Sequence, residues 1–158
     1  MAFFKRKKTN VMEVKAPVNG LAKNIEETPD PVFSQRMMGD GIIIEPTDGR
    51  LVAPIKAEVS LVFPTLHAVG LKAEDGTEIL LHFGLETVAL NGEGFTSHIE
   101  KGQIVNPGDL LIEADLDYIR KNATSDVLIM VFTALNEGKS LEFNYGQVTT
   151  KDVVAKVK

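Results

Sequence analysis

The chain has 158 residues, 44% of them hydrophobic and 25% charged, and contains no cysteine, which excludes disulfides, thiolate metal sites and cysteine catalysis. Its net charge is −5, but Lys5–Lys8 carry four positive charges, so the rest of the chain has a net charge of −9. An acidic body repels nucleic acid and is suited to a basic protein partner.

The N-terminal residues combine basic charge with two aromatic side chains. No stretch of the sequence approaches the roughly 20 apolar residues that span a bilayer, and no apolar secretory region follows the first charges. Phe3 and Phe4 beside Lys5–Lys8 could act as a weak anchor on an anionic membrane, although a solvated terminus is the commoner use of such a segment. We predict a flexible basic tail over residues 1–10, a single domain over residues 11–158, and a cytoplasmic location.

Short runs rich in Val, Ile, Leu and Phe alternate with turn residues along the chain. Gly and Asn accept positive φ and Pro presets φ, so the segments between these runs predict turns. The predicted strands are Gly41–Glu45, Gly49–Val52, Glu58–Phe63, Leu66–Leu71, Glu78–Phe83, Leu110–Ala114, Val127–Thr133, Leu141–Tyr145 and Val153–Val157. Strands at this spacing are typical of an antiparallel sandwich or barrel.

Helix signals are few. Asp115 is placed to cap a short helix over Leu116–Lys121, and Phe33–Met38 could form one helical turn. No long segment shows 3.6-residue periodicity, which argues against a fold of alternating strands and helices. The sequence therefore predicts an all-β antiparallel β-sandwich with a few short helical turns.

Two of the three histidines, His67 and His82, lie on consecutive predicted strands joined by the turn Glu74–Thr77. A turn centred on Glu74 and Asp75 would place the two histidines directly opposite each other. A turn centred one residue later would make them diagonal neighbours. Either register puts both imidazoles on one face of the hairpin, whereas a slip of one residue would separate them.

The same registers predict an apolar setting for the two imidazoles. They align Val69 with Leu80 on the histidine face, and Phe63 has the same parity on the preceding stretch. Since the opposite face is also apolar, one face must be the core. The face that carries the imidazoles is then a candidate docking surface.

A pair of imidazoles can serve two kinds of chemistry. A neutral imidazole is nucleophilic near physiological pH, so His82 could accept and return a phosphoryl group while His67 and Thr65 hydrogen-bond its oxygens. Alternatively, both histidines could be zinc ligands of a hydrolase, a site that would need a third ligand. The remaining histidine, His98, follows a glycine-rich turn and is expected to be an ordinary surface residue.

The residues around the pair resemble a known signature. The runs His82–Val88 and Leu90–Phe95, with Phe63–Ala68 upstream, resemble the glucose-family enzyme IIA of the bacterial phosphoenolpyruvate-dependent sugar phosphotransferase system. The similarity continues through Pro29–Phe33 and Gly102–Asp109, and covers nearly the whole chain from about Val14. It implies a β-sandwich of the barrel-sandwich hybrid kind and a phosphocarrier that needs no cofactor and no obligatory metal.

The resemblance also implies roles for single residues. His82 would be the phosphorylated residue, His67 would stabilise the phosphoryl group, and Thr65 would supply a hydrogen bond. Zinc bound at the two imidazoles would be adventitious. The partner surface implied by the resemblance and the face assignment comprises Asp30, Val32, Phe33, Met38, Phe63, Val69, Leu80, Glu86 and Val88.

The implied partners are two proteins that visit this surface in turn. Phosphorylated HPr, a small carrier protein, would be the donor, and the IIB domain of a glucose-type sugar permease would be the acceptor. Glu86 stands where better-known members have Asp, and Leu80 where some have an aromatic residue, so partner preference is expected to shift while docking persists. Regulatory protein targets are known in parts of the family, nucleic acid is not expected, and membrane association would arise only through the permease or the N-terminal anchor.

Overall fold

The computed structural model describes residues 11–158, and the predicted tail over residues 1–10 lies outside them. The described chain is built from β-strands with short helices between them. The strands are β1 (Met12–Lys15), β2 (Gly20–Asn24), β3 (Asp40–Pro46), β4 (Arg50–Val52), β5 (Ala57–Val62), β6 (Ala68–Lys72), β7 (Glu78–Leu85), β8 (Phe95–Ser97), β9 (Ile104–Val105), β10 (Leu110–Ala114), β11 (Ser125–Ala134), β12 (Leu141–Phe143), β13 (Gly146–Val148) and β14 (Val153–Val157).

These strands form three antiparallel sheets. The largest has eight strands in the order β13-β2-β3-β11-β7-β6-β5-β9, and two three-stranded sheets have the orders β1-β14-β12 and β4-β10-β8. The predicted all-β fold with few helices is confirmed.

The large sheet is apolar on both faces at its centre. Along β11, Leu128, Met130 and Phe132 belong to the main core, because alternate side chains of a strand point to one face. The residues between them, Val127, Ile129 and Val131, belong to a second cluster on the outer face. That cluster also contains Ile25 and Phe33, so the segment between β2 and β3 covers part of the outer face. The remaining outer face carries His82.

Helices are short and begin at capping residues. α2 (Leu116–Asn122) starts after Asp115, whose carboxylate accepts a hydrogen bond from the Tyr118 backbone N–H at 3.1 Å, as predicted. The predicted turn at Phe33–Met38 is wrong in its limits. Helix α1 is Pro31–Ser34, because Asp30 caps it through the Val32 N–H at 2.8 Å. Two 3₁₀ turns, Ile25–Glu27 and Thr87–Leu90, complete the helical segments, and none of the described helices has the length and apolar character needed to cross a bilayer.

The hairpin between β6 and β7 has a register that neither predicted turn gives. Ala68 pairs with His82 and Val69 with Leu81. The Ala73 N–H donates to the Thr77 carbonyl at 2.8 Å, so three residues, 74–76, form the loop. Asp75 stabilises this loop by accepting from the Thr77 N–H at 2.9 Å. An odd number of loop residues shifts the pairing by one position and exchanges the two faces.

The corrected register removes Val69 from the predicted docking surface. Val69 is 0% exposed, pairs with Leu81 and belongs to the main core. The prediction that it shares a face with Leu80 is therefore wrong.

Substitution of Val69 by Thr tests the corrected face. The swap keeps the shape and buries a hydroxyl, so we expect Val69→Thr to lower the free energy of unfolding by about 1–3 kcal/mol. The matched control is Val88→Thr, because Val88 is 54% exposed and a surface change should stay within about 0.5 kcal/mol. Urea unfolding measures both variants. If both variants lower the free energy of unfolding by the same small amount, Val69 is not buried and the corrected face is wrong.

Candidate functional site

His82 lies near the centre of the large sheet and points to its outer face. It stands on β7 between Ala68 of β6 and Ile129 of β11. Its Nδ1 atom lies 2.8 Å from the backbone oxygen of Gly84. A carbonyl oxygen can only accept, so Nδ1 carries the proton and Nε2 holds the free lone pair. The backbone thus selects the tautomer and leaves Nε2 as the nucleophilic atom.

Gly84 makes this hydrogen bond possible, and no side chain would fit in its place. Its φ is +80°, which turns its carbonyl out of the regular strand direction. A Cβ there would lie 2.4 Å from Thr87 Cγ2 and 2.8 Å from the Ser125 oxygen. Thr87 cannot withdraw easily, because it is fully buried and its hydroxyl donates to the Phe83 carbonyl at 2.7 Å. Sequence reasoning missed Gly84 as a functional residue, although it lies two positions after His82.

His67 lies beside His82, and the two ring centroids are 4.9 Å apart at an interplanar angle of 81°. His67 is only 4% exposed, and its Nδ1 lies 2.7 Å from the Thr65 hydroxyl. The structure therefore brings all three predicted central residues together. Their proximity was predicted, but the hairpin register offered to explain it was wrong.

Aromatic rings flank the pair on both sides. Phe33 of α1 lies 5.1 Å from the His82 ring, and Phe63 lies 5.4 Å from the His67 ring, measured between centroids. Both contacts replace water by apolar surface. Phe33 itself is buried, so it packs against the His82 ring but offers little area to a partner.

The other predicted surface residues differ in their exposure. Val32, Met38 and Val88 are exposed. Leu80 is half-buried and lies two residues before His82 on β7, so the two side chains share a face. Met37, next to Met38 in the chain, is also an exposed apolar residue, at 69%.

Of the two predicted surface carboxylates, one is seen to act on an imidazole. Asp30 caps α1 and acts on His82 through its negative charge. Glu86 has a left-handed backbone with φ +60°, and its carboxylate accepts a short hydrogen bond from the Thr124 hydroxyl. Thr124 was missed, because it lies 38 positions further along the chain and only the fold brings it to Glu86.

Burial sets the protonation of both histidines. It lowers the pKa of His82 to about 4, with a smaller lowering from His67, while the hydrogen bond to Gly84 and the charge of Asp30 act in the opposite direction. Burial also lowers the pKa of His67, and a hydrogen bond of its ring with the Thr65 backbone acts in the opposite direction. At neutral pH both rings are uncharged, so the Nε2 lone pair of His82 is available.

The third histidine takes no part in this site. His98 is exposed, and its Nε2 lies 2.8 Å from a Glu113 carboxylate oxygen, so it is the surface residue that was predicted. Within residues 11–158 no group of three or more His, Cys, Asp or Glu side chains is placed to hold a metal ion. The two imidazoles therefore have no third protein ligand among the described residues.

Comparisons with known proteins all point to one family. The model of the family described as phosphoenolpyruvate-dependent sugar phosphotransferase system, EIIA 1, matches residues 12–138. The glucose-specific EIIA components of Bacillus cereus and Bacillus anthracis are each 49% identical over 144 residues, which is 91% of this chain and 87% of each relative. The solved glucose permease IIA from Mycoplasma capricolum matches with a TM-score of 0.89 and 40% identity over 99% of both chains.

The pH dependence of His82 follows from its surroundings. Its pKa of about 4 lies below the unfolded value of about 6.5, so protonation favours unfolding. We expect this contribution to stability to be complete above pH 6.5 and to be lost as the pH falls towards 4. Ring ¹⁵N NMR should show a neutral, Nδ1-protonated His82 at pH 6. The urea-unfolded chain is the reference, and titration of folded His82 at 6.5 or above would contradict the prediction.

Proposed function

Because the chain belongs to the EIIA 1 family of the phosphoenolpyruvate-dependent sugar phosphotransferase system, and so is a phosphotransferase component, we propose that Nε2 of His82 is its phosphoryl acceptor. The observation that carries the proposal is the hydrogen bond of His82 Nδ1 to the Gly84 oxygen, which leaves Nε2 with a free lone pair. The alternative of a zinc hydrolase is not supported by the family match.

The transfer is a direct displacement at phosphorus. The Nε2 lone pair of His82 forms a bond to phosphorus, the bond between phosphorus and the donor's imidazole nitrogen breaks, and its electron pair returns to the donor. Positive charge that grows on the His82 ring is stabilised by the Gly84 carbonyl, which accepts from Nδ1–H. Burial of the neutral ring keeps this nucleophile unprotonated at physiological pH.

His67 and Thr65 would hold the phosphoryl group. When the Thr65 hydroxyl donates to Nδ1 of His67, the proton of His67 is on Nε2. With the rings 4.9 Å apart, this N–H can donate to a phosphoryl oxygen on His82. An N–H donor fixed in advance by its neighbours stabilises the transferring group without reorganisation.

The partners exchange phosphoryl groups with His82 in turn. As an EIIA protein the chain interacts with HPr and with IIB domains. The finer assignment is that phosphorylated HPr docks first and a IIB domain of a glucose-type permease then takes the group. Support comes from the exposed apolar side chains of Val32, Met38 and Val88 and from Asp30 and Glu86, which would attract basic partners. A cytoplasmic location, with residues 11–158 acting as one domain, follows from the same assignment.

The two histidine variants should fail differently. In an assay with phosphoenolpyruvate, enzyme I and HPr, we expect His82→Ala to take up no label. His67→Ala should still take up label but pass it to a IIB domain at least tenfold more slowly, since one donor to the phosphoryl oxygens is lost. His98→Ala is the control and should behave as wild type. Undiminished labelling of His82→Ala would refute the assignment.

Gly84 offers a second test. Gly84→Ala and Gly138→Ala both place a side chain at φ +80°, but a Cβ at Gly138 meets nothing within 4 Å. The clash with Thr87 and Ser125 should make the Gly84 variant less stable than the control by about 1–3 kcal/mol in urea unfolding. It should also slow label uptake, because the acceptor of the His82 Nδ1 proton moves. Equal stability and uptake in the two variants would contradict this role for Gly84.

A further inference from the structure

The position of His67 does not follow from the pairing of its strand. His67 lies opposite Phe83, whose N–H donates to the His67 carbonyl at 2.7 Å. Phe83 is fully buried in the main core, and residues directly opposite each other in a sheet point to the same face. A regular strand would therefore send the His67 side chain into the core. Instead its ring lies against His82 on the outer face.

The departure from regular geometry coincides with Leu66. Its φ is +61°, a left-handed conformation that is unfavourable for a side chain of this size. The loop is closed on both sides of it: the Leu66 N–H donates to the Phe63 carbonyl at 2.8 Å, and the Phe63 N–H donates to the Ala68 carbonyl at 3.0 Å. β6 becomes regular only from Ala68 onwards.

The side chain of Leu66 explains how this conformation persists. It is partly buried and packs against the main core. On one side it lies along the backbone of the loop after β7, where a Cβ on Gly92 would be 3.9 Å from Leu66 Cδ1. Leu66 therefore lies on the core side of the sheet, the side to which a regular strand would send His67.

We propose that Leu66 is a positioning residue: its left-handed backbone turns the chain so that His67 faces His82, and its partly buried side chain packs this turn against the core. Its relevance to phosphoryl transfer rests on the proposed function, whereas its effect on the histidine pair does not. The role needs a backbone that accepts positive φ, whereas the apolar side chain adds stability by packing against the core.

Two variants separate these properties. Leu66→Val keeps an apolar side chain but is β-branched, so it disfavours positive φ. Leu66→Gly accepts positive φ without strain but removes the side chain. If backbone conformation positions His67, the glycine variant should retain the pairing of the rings better than the valine variant. If Leu66 only fills the core, the order should be reversed.

The first measurement is independent of any activity. In wild type, a nuclear Overhauser effect between ring protons of His67 and His82 should be visible, since the centroids are 4.9 Å apart. We expect this signal to be retained in Leu66→Gly and lost in Leu66→Val. Leu71→Val is the matched control, because Leu71 lies in the regular, buried part of β6, and it should keep the signal. A retained signal in Leu66→Val would overturn the proposal.

The second measurement concerns transfer from phosphorylated His82 to a IIB domain. Leu66→Val should lower kcat about as much as His67→Ala, with little change in KM, and adding it to His67→Ala should cost nothing further. Leu66→Gly should keep most of the wild-type kcat. Additive losses in the double variant would overturn the positioning role. If the wild-type protein takes up no label, the proposed function is refuted, but the measurement of ring proximity still tests the role of Leu66.

Discussion

The site depends on one hydrogen bond, from Nδ1 of His82 to the backbone oxygen of Gly84. It fixes the tautomer of the ring, its orientation and the identity of the free nitrogen. A side-chain acceptor in the same place could rotate or change its protonation, whereas a carbonyl at the end of a strand cannot. The left-handed turn that directs this carbonyl is available only because residue 84 has no side chain.

The large sheet supplies the rigidity that this hydrogen bond needs. Its central strands are packed on both faces, by the main core on one side and by the cluster around Phe33 and Ile129 on the other. His82 lies at the edge of the cluster around Phe33 and Ile129, so its ring is held by packed neighbours while its outer edge stays accessible. The same packing removes water, lowers the pKa of both imidazoles and keeps them neutral. The packing that holds the His82 ring in position therefore also keeps it neutral and nucleophilic.

Local departures from regular backbone occur close to both histidines. Leu66, Gly84 and Glu86 all have positive φ; at Leu66 this redirects the His67 side chain, and at Gly84 it redirects the carbonyl that His82 binds. Such conformations are unfavourable and persist because neighbours hold them: the core holds Leu66, and Thr124 holds the carboxylate of Glu86. A protein that receives a phosphoryl group and passes it on gains from groups that are already in place before a partner arrives.

Much of this protein could be read from the sequence. Alternating apolar runs and turn residues determined an all-β fold, because those signals are local. The cap at Asp115 is local as well, and the spacing of His67, Thr65 and His82 within recognisable runs indicated both the family and the centre of the site. Each of these conclusions needs only residues close together in the chain.

The tertiary structure decided what depends on competition between neighbours. The number of residues in the loop after β6 was not fixed by its composition, because Glu74, Asp75 and Gly76 suit two-residue and three-residue turns alike. The side-chain hydrogen bonds of Asp75 favour the longer loop, which moved Val69 into the core. The left-handed Leu66 was equally invisible, since a leucine gives no local signal for positive φ. Packing against distant chain segments offsets the strain of that conformation. Such contacts cannot be inferred from the spacing of residues in the sequence.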